Sequence, residues 1–386
     1  MNAGWKLSTG IFALSLAAHG GLMLIRGIGA TPDFWSSYDP LAVRVVSCLH
    51  GSAAGLPAIL EPYDFFHVNY ALFVSAVYLA FGIGNLPALI GLQVLLSSGV
   101  SLILFHFLKR QYDSTAVAAG ATVFGFAFFD SMYMTIVGSP ESLYRSLLVT
   151  AVLVLFLLHE RRRRAAFMAS ALIFFAVLLG IRIDTLVLFA PVYALGFTGL
   201  VDRRGGWRPS PAVLSTVILA LLFCVSLAVK LYAGDNPIAR LDRKYFEEGI
   251  VVADLGPEGR IEALEPGLRQ GVLEVLQRSL RLFVLRANQF FTVAPPSWSS
   301  AHQTYYALHM VPLYLLALVG VVRAWRSRNA FFGLAVQCYL AAIVLHGLTR
   351  VDAAHRTLFT SFIFLIMLSG YGFDALWGRV RCRWRP

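Results

Sequence analysis

The sequence predicts an all-α membrane protein that crosses the bilayer many times. Of its 386 residues, 58% are hydrophobic and only 14% are charged, and the mean hydropathy is +0.69. A soluble domain needs far more charge to cover its surface. Many apolar runs reach the roughly 20 residues that cross a bilayer as a helix. The first run, from about Ile11 to Ile28, has no small-residue cleavage site after it, so we interpret it as a retained helix.

The net charge of +11 does not indicate a nucleic-acid partner. The basic residues cluster in short segments between apolar runs, which is the pattern of cytoplasmic loops. The clusters are residues 109–110, 161–164, 201–208, 323–328 and 379–383. The sequence has no Gly-rich phosphate loop with a following Lys, so a nucleotide partner is not expected either. The four cysteines have neither zinc-site nor disulfide-framework spacing.

With all basic clusters on the cytoplasmic side, the chain is predicted to be one transmembrane domain, residues 1–386, of about ten spans. Both termini are then cytoplasmic. The predicted spans are approximately residues 8–28, 86–107, 115–134, 143–159, 165–181, 184–200, 210–231, 305–323, 329–347 and 357–376.

One apolar stretch, residues 67–83, is excluded from the spans. As a span, it would place a basic cluster or the N-terminal Lys6 on the wrong side, so we expect a juxtamembrane helix on the outer surface. An eleventh span remains the alternative. The stretch belongs to a first extracytoplasmic loop, residues 29–85. A second large extracytoplasmic loop, residues 232–304, has apolar residues at helical spacing and is predicted to form amphipathic helices.

This topology gathers the candidate functional residues on the extracytoplasmic face of the membrane. Charged groups at membrane depth are costly and usually mark a pathway or a reaction. Two carboxylates, Asp39 and Glu141, lie in polar breaks between apolar runs, and Arg182, Arg350 and Arg356 lie in outward turns. The same face is therefore expected to hold both acidic groups and cationic groups.

Two of these breaks resemble motifs of the GT-C superfamily, the membrane glycosyltransferases that use polyprenyl-phosphate-linked sugars. Tyr38-Asp39-Pro40, with Arg44, is similar to the Phe-Asp-Pro…Tyr-Arg signature of oligosaccharyltransferase catalytic subunits. The segment 138–142 is similar to their Gly-Ser-Tyr-Asp-Asn-Glu segment, although Ser and Pro precede the glutamate here. The resemblance implies a GT-C-like fold and a catalytic role for the first-loop aspartate.

Further similarities are to the mannosyl- and aminoarabinosyl-transferase branch. The turn at residues 180–184 is similar to its Leu-x-Arg-Pro turn, with Ile in place of Pro, and Arg356 is similar to its Arg before the last spans. His67 and Asn69 stand where that branch often has His-Pro-Pro near the sugar. The resemblance covers roughly residues 1–200 best.

Asp39 is the first candidate for the catalytic residue, and Asp33 is the second. Transfer of a sugar from a lipid phosphate needs a base that takes the acceptor proton, and a partly desolvated carboxylate suits this. Glu141 could bind a divalent cation such as Mg²⁺ or Mn²⁺ together with Asp39, or position the acceptor. Both carboxylates could instead cap helix N-termini.

The arginines are candidates for binding the donor phosphate. The planar guanidinium of Arg182, Arg350 or Arg356 suits a phosphate, and it would stabilise the charge of the leaving group. Each could instead extend to the interface from a helix end. Tyr38, Arg44, His67 and Asn69 are candidates for binding substrate.

We therefore expect an enzyme of the plasma (inner) membrane, with its active site on the extracytoplasmic face. It would move a sugar, expected to be one monosaccharide, from a polyprenyl-phosphate carrier to a glycolipid, polysaccharide or secreted protein such as a pilin, with inversion. Two alternatives remain: an oligosaccharyltransferase with a polyprenyl-diphosphate donor, and a translocator of lipid or glycan that performs no chemistry.

Overall fold

The structure is a computed structural model. It describes residues 3–32, 34–51, 68–182, 185–201, 299–349 and 356–383, with a few single residues between 214 and 291. Nearly all described residues lie in helices, which confirms an all-α membrane protein. Six helices are long and apolar enough to cross a membrane, namely Lys6–Arg26, Leu86–Gln111, Pro140–Glu160, Gln303–Ser327, Ala330–Gly347 and Ser361–Gly378.

The elements are numbered in chain order. The helices up to residue 201 are α1 (Ala3–Arg26), α2 (Asp39–Leu49), α3 (Val68–Phe81), α4 (Leu86–Gln111), α5 (Thr115–Ala127), α6 (Phe129–Ile136), α7 (Pro140–Glu160), α8 (Arg164–Leu179), α9 (Thr185–Leu188) and α10 (Ala190–Val201). The later helices are α11 (Ser300–Ser327), α12 (Ala330–Thr349) and α13 (Arg356–Arg383). Two short strands, β1 (Gly29–Ala30) and β2 (Val137–Gly138), and a π-helix (Phe34–Tyr38) lie between the early helices.

The count of ten spans is not confirmed. The predicted span 115–134 is divided into α5 and α6, because the backbone at Phe128 is extended, with ψ 130°. The predicted span 165–181 corresponds to α8, which has 16 residues and is one of the shorter apolar helices. The predicted span 210–231 lies almost wholly outside the described residues, as does the loop 232–304 with its expected amphipathic helices.

Helix α3 occupies the stretch that was excluded from the spans. It has 14 residues and is therefore about 21 Å long at 1.5 Å per residue. The hydrocarbon core of a bilayer is about 30 Å thick, so this helix is too short to cross it upright. Its length agrees with the expected juxtamembrane helix, whose position on the membrane stays a prediction.

The chain divides into two compact units. The first comprises residues 1–186, 316–327 and 366–386, and the second comprises residues 187–315 and 328–365. In the second unit α10 packs against α12. All contacts of the candidate site described below belong to the first unit.

The first unit is built around α4. Helix α1 runs antiparallel to it, with hydrogen bonds between the side chains of Ser8 and His106 (3.0 Å) and of Ser15 and Ser98 (2.8 Å). Small and hydroxyl-bearing residues let membrane helices approach closely. Helix α7 runs parallel to α4, since its start contacts Gln93 and the ring of Phe156 lies 5.9 Å from that of Phe107. The basic segments at the C-terminal ends of α4 and α7 therefore share one end of the unit.

A charged cluster closes that end. The Asp374 carboxylate of α13 accepts hydrogen bonds from the backbone N–H groups of Asp113 (3.0 Å) and Ser114 (3.1 Å), in the turn before α5. Arg323 of α11 donates to Asp374 (3.1 Å) and to Asp113 (2.7 Å), and its guanidinium lies 4.1 Å from the ring centre of Tyr371. These contacts hold Arg323, which begins the basic segment 323–328, beside the turn after α4.

The opposite end of the first unit brings together segments that are far apart in sequence. Strands β1 and β2 pair in parallel, with Gly29 opposite Val137 and Ala30 opposite Gly138. A Cβ atom on Gly138 would lie 3.1 Å from the Cβ of Ala30, so glycine allows the close approach. The pairing places the segment that leads to Asp39 beside the segment that leads to Glu141.

Candidate functional site

Asp39 is the first residue of α2, directly after the π-helix. Tyr38, which precedes it, already has helical backbone angles (φ −77°, ψ −43°), and among the described residues no side-chain capping hydrogen bond is formed at this helix start. The N-terminal cap considered for Asp39 is therefore not formed. Short π-helical turns inside helices occur often at functional sites.

The Asp39 carboxylate is held by α3, which packs antiparallel to α2. The Tyr78 hydroxyl donates a hydrogen bond to Oδ1 of Asp39, and the Ser75 hydroxyl donates to the backbone carbonyl of Ala42 (3.3 Å) one turn further along α2. Burial, together with the hydrogen bond to Asp39, raises the pKa of Tyr78. The phenol therefore stays protonated and remains the donor.

Aromatic rings form the wall beside Asp39. The ring of Tyr38 meets that of Tyr70 edge to face, with 4.9 Å between centroids, and both side chains are buried, as is that of Phe34. The ring of Trp35, in contrast, is 51% exposed. Arg44 lies on α2 and is also exposed. The π-helix thus presents one large aromatic ring outward, close in sequence to the carboxylate.

Glu141 lies in the first turn of α7 and is buried. Its Oε1 atom is 3.1 Å from Nη1 of Arg182, whose side chain is 18% exposed. The Arg182 guanidinium lies 5.9 Å from the ring centre of Tyr144, and the Tyr144 hydroxyl is hydrogen-bonded to Thr185 (3.0 Å). Arg182 is thus oriented by a carboxylate and an aromatic face.

Arg145, one turn after Glu141, points to other partners. Its guanidinium donates to the hydroxyl groups of Ser131, Ser97 (2.9 Å) and Thr135 (3.4 Å). Glu141 forms its ion pair with Arg182, which belongs to another segment of the chain. The two predicted functional residues Glu141 and Arg182 are therefore in direct contact.

Gln93 of α4 connects the two carboxylate regions. Its Nε2 donates to the hydroxyl oxygen of Tyr70 (3.0 Å) and to the backbone carbonyl of Ser139 (2.9 Å). Tyr70 contacts Tyr38 beside Asp39, while Ser139 precedes the helix start that carries Glu141. The negative charge of Glu141 also acts on the Tyr70 hydroxyl. Contacts through Tyr38, Tyr70, Gln93 and Ser139 therefore connect the segment that carries Asp39 with the segment that carries Glu141.

Asn69 has a structural role at the end of α8. Its side-chain amide donates to the carbonyls of Ala176 (3.2 Å) and Val177 (2.8 Å), and its backbone N–H donates to the carbonyl of Gly180 (2.9 Å). The carbonyl of Ala176 also accepts the backbone N–H of Gly180, so Asn69 adds hydrogen bonds to the carbonyls at the C-terminal end of this helix. A role of Asn69 in substrate binding stays a prediction.

The remaining predicted residues fall outside these contacts. Asp33, His67 and Arg350 lie outside the described residues. Arg356 is the first residue of α13, but its side chain is outside the description. Phosphate binding by Arg350 and Arg356, substrate binding by His67, and the second candidacy of Asp33 therefore stay predictions.

The expected divalent cation also stays a prediction. Within the described part of the chain, no three His, Cys, Asp or Glu side chains are grouped as a metal site would need. The Asp39 carboxylate accepts a hydrogen bond from a phenol, and the Glu141 carboxylate is paired with a guanidinium. A cation bound by both carboxylates would have to displace these partners or share the carboxylate oxygens with them.

Three residues of the cluster were not found by sequence reasoning, namely Tyr70, Tyr78 and Gln93. Tyr70 and Tyr78 are eight residues apart in an apolar helix, which places them along the same side of it. This spacing is the feature of the sequence that could have identified them. Gln93 is a polar residue with an amide side chain within a predicted span, and this signal was also visible in the sequence.

No protein-family model matches this sequence, and no curated protein matches it. The function of the cluster therefore has to be inferred from its own chemistry.

Proposed function

We propose that this protein is a membrane glycosyltransferase that transfers a sugar from a polyprenyl-phosphate carrier to an acceptor outside the cytoplasm. The observation that carries the proposal is the clustering of Asp39, Glu141 and Arg182 at one end of the first unit. These residues come from three segments. An ion pair joins Glu141 to Arg182, and Gln93 is hydrogen-bonded both to Tyr70 on the Asp39 side and to Ser139 on the Glu141 side. Placing such charged residues within a membrane protein costs free energy, so a group of them usually marks a functional site.

Asp39 is the proposed general base. In the transfer, an acceptor oxygen forms a bond to the anomeric carbon, the bond to the carrier phosphate breaks, and the acceptor proton passes to the carboxylate. Because the new bond forms opposite the bond that breaks, the configuration inverts. The Tyr78 hydroxyl fixes the orientation of the carboxylate while leaving its other oxygen to take the proton.

Arg182 is the proposed contact for the donor phosphate. The leaving group carries negative charge, and a guanidinium already oriented towards it stabilises that charge without reorganisation. Glu141 and Tyr144 orient Arg182, which supports a positioning role for Glu141. Transfer of a larger glycan from a diphosphate carrier would use the same groups, and no observation favours it.

Replacement of Asp39 tests the reaction. With the full-length protein in nanodiscs, Asp39→Asn should lower product formation by about 100-fold or more, which is the range for removal of a general base. Binding of the polyprenyl-phosphate-sugar should stay nearly unchanged. Asp113→Asn, at the opposite end of the same unit, is the matched control. A wild-type protein that moves lipid across the membrane but never forms a glycosylated product would identify a translocator and refute the proposal.

Cysteine labelling tests the proposed extracytoplasmic face. Ser36 and Asp113 are both exposed, and they lie near opposite ends of the first unit. In a background without native cysteines, Ser36→Cys should react with an impermeant thiol reagent in intact cells. Asp113→Cys should react only after permeabilisation. The reverse pattern would place Asp39 on the cytoplasmic side and exclude an extracytoplasmic acceptor.

A further inference from the structure

Within the described part of the chain, three buried oxygen atoms near the start of α7 have no hydrogen-bond partner. They are Oε1 of Gln93 and the Oγ atoms of Ser139 and Ser142, and all three residues are at most 1% exposed. Ser139 holds the N-cap position of α7, yet its hydroxyl accepts no hydrogen bond from the helix. Buried polar groups are nearly always paired, and each exception needs an explanation.

These atoms belong to one location. Nε2 of Gln93 is 2.9 Å from the carbonyl oxygen of Ser139, which brings the amide of Gln93 to the helix start. Ser139 is the N-cap residue of α7 and Ser142 lies in the first turn of this helix, so both serines belong to the helix start. The orientation of the Gln93 amide is fixed, because a carbonyl can only accept, so Oε1 must be the unpaired atom. The Tyr70 hydroxyl accepts from Gln93 and keeps its own hydrogen to donate.

The unpaired atoms define the chemistry of a ligand. Oε1 of Gln93 can only accept a hydrogen bond, whereas each serine hydroxyl can donate or accept. An anion could not satisfy the amide oxygen, and Glu141 already supplies a negative charge in the first turn of α7. A cation would be repelled by the positive end of the helix dipole. A neutral hydroxyl group fits, since it donates one hydrogen bond and accepts others.

We infer that Gln93, Ser139 and Ser142 form a subsite for a hydroxyl group of a sugar ring. This inference rests on the proposed glycosyl transfer and assigns the sugar a position against the N-terminus of α7. In that position the sugar lies beside Glu141, whose partner Arg182 is the proposed phosphate contact. The ring could belong to the donor lipid or to the acceptor, since both carry hydroxyl groups. Ordered water shares the same chemistry and is the competing occupant.

Ser142→Ala is the informative variant, because it removes only an unpaired hydroxyl. Burial of an unsatisfied hydroxyl destabilises a protein, so the melting temperature without ligand should stay the same or rise. Ser146→Ala is the matched control, a buried serine one turn further along the same helix. This design separates loss of a ligand contact from loss of folding.

The probes are undecaprenyl phosphate, the same lipid carrying glucose, mannose, galactose or arabinose, and the methyl glycosides of these sugars. The full-length protein in nanodiscs should bind at least one sugar-bearing probe more tightly than bare undecaprenyl phosphate. Ser142→Ala should weaken binding of that probe about 3- to 10-fold, which is the effect of losing one neutral hydrogen bond. Ser142→Ala should not change binding of the bare lipid. Ser146→Ala should change binding of neither the bare lipid nor the sugar-bearing probe. The probe class that responds identifies the donor or the acceptor as the source of the sugar.

A deoxy analogue then identifies the hydroxyl. For one single-deoxy form of the responding probe, wild type and Ser142→Ala should bind equally, because the contact is already absent. If Ser142→Ala binds every sugar-bearing probe as wild type does, the subsite holds water only and the inference is wrong, while Asp39-dependent transfer would still support the proposed function. If the wild-type protein neither prefers a sugar-bearing probe nor forms product, both the sugar subsite and the proposed glycosyl transfer are wrong.

Discussion

The hydroxyl group of Tyr78 donates a hydrogen bond to Oδ1 of Asp39, across 39 residues of sequence. The bond joins the first turn of α2 to the C-terminal half of α3. It fixes one oxygen of a carboxylate that would otherwise rotate freely at a helix start. Tyr78 is therefore a positioning residue for the proposed base.

Tyr78→Phe should lower kcat about 10-fold and leave KM for the donor nearly unchanged. A hydrogen bond to a charged group contributes about 1.5 kcal/mol or more, and this corresponds to roughly one order of magnitude in rate. Steady-state kinetics of the purified protein would measure both constants. Tyr133→Phe, in which the replaced tyrosine is 43% exposed, is the control. Equal kcat for Tyr78→Phe and wild type would show that the bond does not position the base.

Arg182→Ala should destabilise the protein more than Glu141→Gln does. Removal of the cation leaves a buried carboxylate without its charge partner, and for buried pairs this costs about 3–5 kcal/mol. Arg182 is partly exposed, so the lower end of that range applies. Thermal unfolding of the two single variants and of the double variant gives the coupling free energy between Glu141 and Arg182. If the double variant were less stable than Arg182→Ala, the ion pair would not be the main interaction of these residues.

Gly180→Ala should displace the amide of Asn69 from the end of α8. A Cβ atom at position 180 would lie 2.2 Å from Nδ2 of Asn69, which donates to the last carbonyls of that helix. The expected loss is about 2 kcal/mol, corresponding to two neutral hydrogen bonds. Asn69→Ala removes the same bonds, so the losses should not add in the double variant. Additive losses in thermal unfolding would contradict this contact.

Asp374→Asn should be far more destabilising than Asp113→Asn, although Arg323 pairs with both carboxylates. The Asp374 side chain is 1% exposed and accepts two backbone hydrogen bonds, whereas the Asp113 side chain is 82% exposed. Exposed ion pairs contribute about 0–1 kcal/mol, and loss of a buried, hydrogen-bonded carboxylate costs about 3 kcal/mol or more. The melting temperatures of Asp374→Asn and Asp113→Asn, measured in the same detergent, would test this difference. Equal losses would mean that Asp374 acts only through Arg323.

The long helices followed from the sequence, because hydrophobic length alone decides which segments cross a bilayer. Helices α4 and α7 coincide closely with predicted spans. The division of one predicted span at Phe128 could not be foreseen, since no proline or glycine marks that position. Such a break depends on packing against neighbouring helices, which a hydropathy pattern does not contain.

The candidate site was predictable in its charged residues and not in its connections. Glu141 and Arg182 were both singled out, yet their ion pair depends on how two loops meet. Gln93 was missed because one glutamine in an apolar run has no distinctive spacing. Asp39 before Pro40 is typical of a cap, but the π-helix continues directly into α2 and leaves no N-terminus to cap.

The pairing of β1 with β2 has a consequence for biosynthesis. Residues 29–30 emerge from the ribosome more than a hundred residues before their partners at 137–138. Contacts of such long sequence separation form late, after their loop has closed. The segment of β1 therefore remains without its partner until the chain has been made as far as β2. In the proposed transferase, the candidate site would then be completed in one late step of assembly, and a nascent chain that stops before α7 would be inactive.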